Sequence, residues 1–228
     1  MLFAIEKQTF TENNGWNILK TMSLKDYEYY RTDLGVLYHA DCLTIMPHLE
    51  PVDLVLTDPP YGINANNMTL GSGKKDFFRG GGWDKKTPDI SWISTKAKWY
   101  CVWGGNYFAD QLPINNHILV WWKLNDNLSF SECEFAWTNT GKQSRLLRHH
   151  WGGEIKQHPT QKPLGVINWC LTFFPDAKFV FDPFLGSGTT AVACERLNRR
   201  WIGIEIEEKY CEIAAKRIEK ERSQLKLF

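Results

Sequence analysis

Phe179-Val180-Phe181-Asp182-Pro183-Phe184-Leu185-Gly186-Ser187-Gly188-Thr189-Thr190, followed by Arg200-Trp201-Ile202-Gly203-Ile204-Glu205, decides the fold of this chain. The first four residues form an apolar run of strand length that ends in a carboxylate, and residues 189–197 read as a helix. Arg200 to Glu205 is a second such run, again ending in a carboxylate. Strand, glycine turn, helix and strand are the repeating unit of a doubly wound sheet. Leu185 to Ser187 must make the tight turn, and Gly186 and Gly188 let the backbone approach a ligand that any Cβ would block. Glu205, at a strand end, is then placed to take both hydroxyls of a ribose.

The loop alone leaves two ligands open. Gly186-Ser187-Gly188-Thr189-Thr190-Ala191 satisfies the G-x-G-x-x-A fingerprint of nicotinamide and flavin enzymes, with Glu205 at a suitable distance. Asp182 ahead of the glycines tips the balance the other way. A carboxylate there repels a pyrophosphate at the helix N-terminus and suits a ligand carrying an ammonium, such as S-adenosylmethionine.

Upstream, the strand-like run Val52-Asp53-Leu54-Val55-Leu56-Thr57 ends in Asp58-Pro59-Pro60-Tyr61. In isolation that tetrapeptide is equally an ordinary turn. Beside a nucleoside-binding loop it has a chemical use. An exocyclic amine of adenine or cytosine is a poor nucleophile because its lone pair is conjugated into the ring. Asp58 and the Pro59 carbonyl can each accept one of its N–H bonds and turn the lone pair toward an electrophile. Two prolines, Pro59 and Pro60, stiffen the backbone that aims the carbonyl. Tyr61 offers a face for an extruded base to stack on. The gain is positioning and desolvation, with no covalent intermediate, no metal and no strong general base.

These residues resemble the amino-methyltransferases of DNA, in particular the small phage and prokaryotic adenine-N6 type, from about Leu37 to Arg217. Leu37-Tyr38-His39-Ala40-Asp41-Cys42 resembles the family segment whose Asp binds the cofactor's adenine, which implies that role for Asp41 with Cys42 beside it. Trp103-Gly104-Gly105-Asn106-Tyr107-Phe108 resembles a stretch that follows a central strand in the phage enzymes. His158-Pro159-Thr160-Gln161-Lys162-Pro163 is similar to the segment lying against the methionine end of the cofactor. It implies contacts from Thr160 and Lys162, the latter pairing with the cofactor carboxylate. Asp182, Pro183, Phe184, Gly186, Ser187, Gly188, Thr189 and Glu205 complete the implied cofactor site. The cofactor loop follows the tetrapeptide here, an order that resembles the circularly permuted beta group. Asp rather than Ser at position 58 favours adenine, although some cytosine-N4 enzymes blur that rule. No Pro-Cys motif for C5-cytosine methylation occurs, and RNA guanine-N2 enzymes usually show Asn at the first position.

The resemblance and the pattern imply an α/β fold: a mostly parallel, seven-stranded, doubly wound sheet of the S-adenosylmethionine-dependent methyltransferase (Rossmann-like) type, in one catalytic domain spanning residues 35–228. Strands are expected near 35–39, 52–57, 99–103, 117–122, 133–138, 178–182 and 201–205. Helices are expected over much of 88–97, 106–112, 163–173, 188–197 and 207–222, the last with an apolar stripe of Ile206, Tyr210, Ile213, Ala214, Arg217 and Ile218. Residues 1–34, with Tyr27, Tyr29 and Tyr30, match nothing recognisable and read as an extension of unknown role.

A net charge of +1 excludes a globally basic nucleic-acid binder, so local clusters must supply the phosphate contacts. One is the glycine-rich segment 64–86 with Lys74, Lys75, Arg79, Lys85 and Lys86, expected as a mobile DNA-facing loop. Another is 139–157, with Lys142, Arg145, Arg148, His149, His150 and Lys156, where related enzymes keep target-recognition residues. Either stretch is otherwise a solvated surface. Most of the tryptophans are expected in the core; Trp83 and Trp151 are the exceptions, either of which could contact DNA. Six cysteines without paired spacing read as reduced core thiols of a cytoplasmic protein, and His149-His150 lacks partners at metal-ligand spacing. No apolar run approaches membrane-spanning length.

The sequence therefore points to methyl transfer from S-adenosylmethionine to N6 of a flipped adenine in double-stranded DNA. Cytosine-N4 transfer, a non-catalytic DNA-binding or regulatory subunit and, last, a nicotinamide oxidoreductase are the alternatives. A homodimer and a restriction endonuclease partner are expected only by analogy with related permuted enzymes.

Overall fold

In the computed structural model, which describes residues 23–63, 84–113, 117–125, 131–152, 158 and 160–225, the described residues form one sheet of nine strands. In chain order these are β1 (Glu28–Arg31), β2 (Gly35–His39), β3 (Val52–Thr57), β4 (Ala97–Trp103), β5 (His117–Trp122), β6 (Cys133–Thr138), β7 (Arg145–Arg148), β8 (Phe179–Asp182) and β9 (Arg200–Glu205). The helices are α1 (Cys42–Ile45), α2 (Ile93–Lys96), α3 (Leu164–Leu171), α4 (Thr189–Arg196) and α5 (Glu208–Leu225). The spatial order is β1-β2-β9-β8-β3-β4-β6-β5-β7. β2, β9, β8, β3 and β4 run parallel, β6 is antiparallel to both β4 and β5, and β1 is antiparallel to β2.

β3 shows why the sheet is covered on both faces. Leu54 and Leu56 enter a core cluster with Val166 and Ile167 of α3, Ala191 and Val192 of α4, and Ala214 and Ile218 of α5. Val55 enters a second cluster with Ile45 of α1, Ile93 of α2, Tyr100 and Val102. Both faces are dry, so the strand reads as a continuous apolar run instead of an alternating one. Each fully buried Leu or Val here contributes about 1.5–3 kcal/mol of transfer free energy.

Two strands were not expected. Glu28–Arg31 and Arg145–Arg148 have a charged residue at each end and leave most side chains at least partly exposed, so no apolar period marks them. They are strands because β2 and β5 each present an open edge of backbone donors and acceptors to pair with. The first lies in the stretch that resembled nothing, and its Tyr30 hydroxyl donates to Glu219 on α5 at 2.5 Å.

Three helical expectations need correction. The expected helix over 88–97 is reduced to α2, because Asp89 accepts from the Ser91 amide and hydroxyl and holds a turn, and Ala97 is already extended. Over 106–112 only a single 3-10 turn, Gly105–Tyr107, forms. In α5 the buried stripe is Tyr210, Cys211, Ala214, Ile218 and Glu221, whereas Ile206 precedes the helix and is exposed. Glu221 tolerates burial because Arg196 of α4 grips it with two bonds of 2.7 and 2.8 Å. All six cysteines are free thiols, five of them buried. No helix among the described residues is long and apolar enough to cross a membrane.

The sheet's connections reverse between β8 and β3. β3 leads outward to β4, and β8 leads outward the other way to β9. Open parallel sheets bind ligands outside the strand C-termini at such a switch point. Here the two C-termini carry Asp58 and the glycine loop.

Candidate active site

A cleft of about 1040 Å³ opens at that point. Its wall includes Asp41, Cys42, Asp58, Pro59, Pro60, Tyr61, Thr160, Lys162, Asp182, Pro183, Phe184, Gly186, Ser187, Thr189 and Glu205. The fold thus gathers residues from five separate segments of the sequence into one cavity. Gly188 is the exception among the expected cofactor residues, since it does not line the cleft. It starts α4 at φ +84°, and a Cβ there would sit 2.8 Å from that of Ala214 on α5. Its glycine serves helix packing. Gly186, at φ +54°, does border the cleft, and a Cβ there would meet nothing nearer than the His158 ring at 3.7 Å.

Around the glycine loop the carboxylates are held by the loop itself. Glu205 Oε2 accepts from the Gly186 amide at 2.8 Å and Oε1 from the Glu207 amide at 2.9 Å. Burial pushes its carboxyl up to about 7 despite those bonds. Asp182 accepts from the Thr57 hydroxyl at 2.7 Å and the Phe184 amide at 3.1 Å, and burial lifts it to about 6. The Thr57 bond ties β3 to β8 directly beneath the cleft. Asp41 caps α1 by accepting from the Leu43 amide at 2.9 Å. Ser187 donates to Gln161 at 3.1 Å, and Arg217 of α5 donates to the Ser187 carbonyl, the Ser187 hydroxyl and the Thr189 hydroxyl at 2.7, 2.9 and 3.1 Å. His158 packs on Tyr210 with ring centroids 4.2 Å apart, and burial drives its pKa down to about 3, so it is neutral.

At the β3 end, Asp58 Oδ1 accepts from the Tyr61 hydroxyl and Oδ2 from the Lys162 ammonium, each at 2.5 Å. Lys162 Nζ also lies 2.8 Å from Glu134 on β6, whose other oxygen is 2.6 Å from Lys123. The sequence pattern paired Lys162 with a cofactor carboxylate. In the structure two protein carboxylates hold it, because β6 sits antiparallel beside β4 and brings Glu134 to the cleft. Burial raises the Asp58 carboxyl and the Lys162 charge opposes that, leaving it above the usual carboxylate range. For Glu134, burial is outweighed by Lys162 and Lys123, which hold it at about 2. Tyr61 stacks on Tyr107 at 4.8 Å and 12°, with Gly104 at φ +68° beneath its ring. A Cβ on Gly104 would enter the Tyr61 ring.

The expected DNA-contacting residues divide. Lys74, Lys75, Arg79, Lys156 and Trp83 lie outside the described residues. β7 pairs with β5 from Leu119↔Arg145 to Trp122↔Arg148, which puts Arg148, His149, His150 and Trp151 at the cleft end of the sheet. Trp151 lines the cleft and His150 stacks against it. Arg148 lies over the Trp122 ring at 4.8 Å, and His149 packs against Gly165. Arg145 and Lys142 sit at the opposite strand end, roughly 10 Å away at the rise of a strand. There their charges and burial lower the pKa of His117, burial being the larger cause.

Sequence reasoning missed Glu134, Lys123, Tyr107, Gln161 and Arg217. Glu134 left one trace, a lone carboxylate inside an otherwise uncharged strand. Tyr107 and Gln161 lay inside segments that carried the resemblance but were given no role there, and Lys123 and Arg217 carry no local signal, because their partners lie far away in sequence.

Known proteins resemble this chain in sequence and in fold. The N6/N4 family described as DNA methylase matches residues 102–216. The type II methyltransferase M.ScaI of Streptomyces caespitosus is 42% identical over 265 residues, covering 86% of this chain and 85% of that protein. M2.DpnII of Streptococcus pneumoniae, also a type II methyltransferase, is 26% identical over 250 residues, with 85% and 92% covered. Among solved structures, the cytosine-N4-specific PvuII DNA methyltransferase shares the fold at a TM-score of 0.58 and 18% identity, covering 86% of this chain and 93% of that one.

Proposed function

The chain belongs to the N6/N4 family of DNA methylases, and from that premise we propose that it methylates the exocyclic N6 of adenine in double-stranded DNA, using S-adenosylmethionine. The observation that carries this reading is Asp58, rather than a serine, directly after β3 in the same cleft as the glycine loop and Glu205.

The residues present fit the cofactor. Asp41, Asp182 and Glu205 offer acceptors for hydroxyls, an amine and an ammonium, a set suited to a sulfonium amino-acid nucleoside and hostile to a pyrophosphate. When bound, S-adenosylmethionine supplies a methyl group made electrophilic by its sulfonium. Glu205 would hold the ribose hydroxyls and Asp41 the adenine. Asp58 and the Pro59 carbonyl accept the two N–H bonds of the target amine and free its lone pair for attack. Tyr61, backed by Tyr107, provides the stacking face for the flipped base. As the nitrogen becomes cationic, the Asp58 carboxylate takes its proton. Trp151 lines the cleft, and it, Arg148 and His150, all at the cleft end of the sheet, would meet the DNA.

The test is transfer of radiolabel from S-adenosylmethionine to unmethylated duplex DNA, with the product nucleosides separated. Label in N6-methyladenine is the expected result. Label in N4-methylcytosine overturns the target base and keeps the chemistry, and absence of label overturns the enzymatic reading.

A further inference from the structure

Lys123, Glu134, Lys162 and Asp58 form a chain of alternating charge at the wall of the cleft, with successive contacts of 2.6, 2.8 and 2.5 Å. The four come from the end of β5, from β6, from the segment before α3 and from the end of β3. Their charges sum to zero, as a buried ionic group must approach to be tolerated. Lys162 is only 6% exposed, and Glu134 and Asp58 are about one-fifth exposed. Glu134 belongs to neither the tetrapeptide nor the cofactor loop, and its carboxylate touches Asp58 only through Lys162.

We propose that Glu134 is a positioning residue which, by sharing the Lys162 ammonium, keeps Asp58 oriented and available to the target amine. The proposal rests on the methyltransferase reading above. A carboxylate that must accept an N–H cannot also be wholly committed to a buried cation. With Lys162 alone, the 2.5 Å pair would hold Asp58 by the undivided Coulomb attraction of the ammonium in a partly dry site, in competition with the incoming amine. With Glu134 on its other side, Lys162 divides its attraction between two carboxylates, and the Asp58 contact need not be broken completely when the base arrives. Lys123 completes the arrangement by keeping Glu134 ionised. The other groups facing the network are the Tyr61 hydroxyl on Asp58, neutral His158 near Lys162, and Asp182 across Thr57. None of these changes in the test.

Glu134→Gln keeps the shape and removes the charge. In that variant, kcat should fall about 10–100-fold, the scale of a reacting group displaced by up to an ångström. Cofactor affinity by calorimetry should stay within about threefold. The carboxyl carbon of Asp58, followed by NMR in the DNA-free protein, should titrate at lower pH, because one neighbouring negative charge is gone and Lys162 turns fully to Asp58. Glu134→Asp, which keeps the charge at shorter reach, should lie between the two and carries the same readouts where the Gln variant does not fold. An unmoved Asp58 titration, with kcat unchanged or with kcat, affinity and thermal stability falling in parallel, overturns the proposal and leaves Glu134 structural. A wild-type protein that transfers no methyl group, yet shows the Asp58 shift in the variant, instead overturns the function and upholds the coupling.

Discussion

Asp58→Ala separates chemistry from binding. Asp58 receives the Tyr61 hydroxyl and the Lys162 ammonium, and both lose an acceptor in the variant. Lys162 keeps Glu134 at 2.8 Å, so it is not stranded as an unpaired buried cation. The stability cost should therefore be about 1–3 kcal/mol, below the 3–5 kcal/mol of a fully broken buried pair. The kinetic cost is larger. A carboxylate facing a nitrogen that turns cationic is worth about 4 kcal/mol at about 4 Å between charge centres with an effective dielectric near 20. That corresponds to about three decades of kcat. Cofactor affinity should move by no more than about threefold, since the proposed ribose and adenine partners, Glu205 and Asp41, are on β9 and before α1. Turnover at saturating DNA and cofactor, paired with calorimetric titration of S-adenosylmethionine, measures both quantities. A fall in kcat of less than about tenfold would refute the electrostatic argument. Equal losses in kcat and affinity would show that Asp58 shapes the site instead of acting on the amine.

Other substitutions probe the rest of the cleft. Glu205→Gln should weaken cofactor binding by about 10–100-fold, the worth of a charge-assisted hydrogen bond, and unchanged calorimetric affinity would remove Glu205 from the site. Because burial lifts Glu205 to about 7, wild-type affinity should rise with pH through about 7 and level off above it. The stability sign is opposite: a carboxyl raised in the folded state loses its contribution as pH climbs from its unfolded value through about 7, so Glu205→Gln should unfold later than wild type above pH 7 in thermal scans. Gly104→Ala meets the Tyr61 ring at φ +68° and should cost about 1–3 kcal/mol of stability, with kcat lowered through Tyr61, and a variant of normal kcat would free Tyr61 from the mechanism. Arg217→Met removes three bonds to the glycine loop and should lower both thermal stability and cofactor affinity, by about 2–4 kcal/mol in chemical denaturation.

The elements that the sequence announced are those whose burial is written locally. Val52–Thr57, His117–Trp122 and Cys133–Thr138 form with the expected bounds, because apolar runs of strand length bounded by turn residues leave few other ways to bury them. The two edge strands had no such mark. Arg145-Leu146-Leu147-Arg148 is extended only because β5 offers it an open edge, which is a property of the assembled sheet. The short helix where 88–97 was expected failed for a local reason that outweighed propensity, the Asp89 turn.

Asp58, the glycine loop and Glu205 were readable one by one from the sequence, since each depends on residue type at a strand end. That the tetrapeptide and the loop share a cleft follows only from the pairing of β3 with β8, across more than a hundred residues of chain. The same holds for Lys162, whose two carboxylate partners, after β3 and on β6, its motif did not announce. Periodicity and turn chemistry act over a few residues and so determine elements and their ends. Which ends meet, and which charges must then neutralise one another out of water, is decided by sheet order and burial, and those exist only in the folded chain.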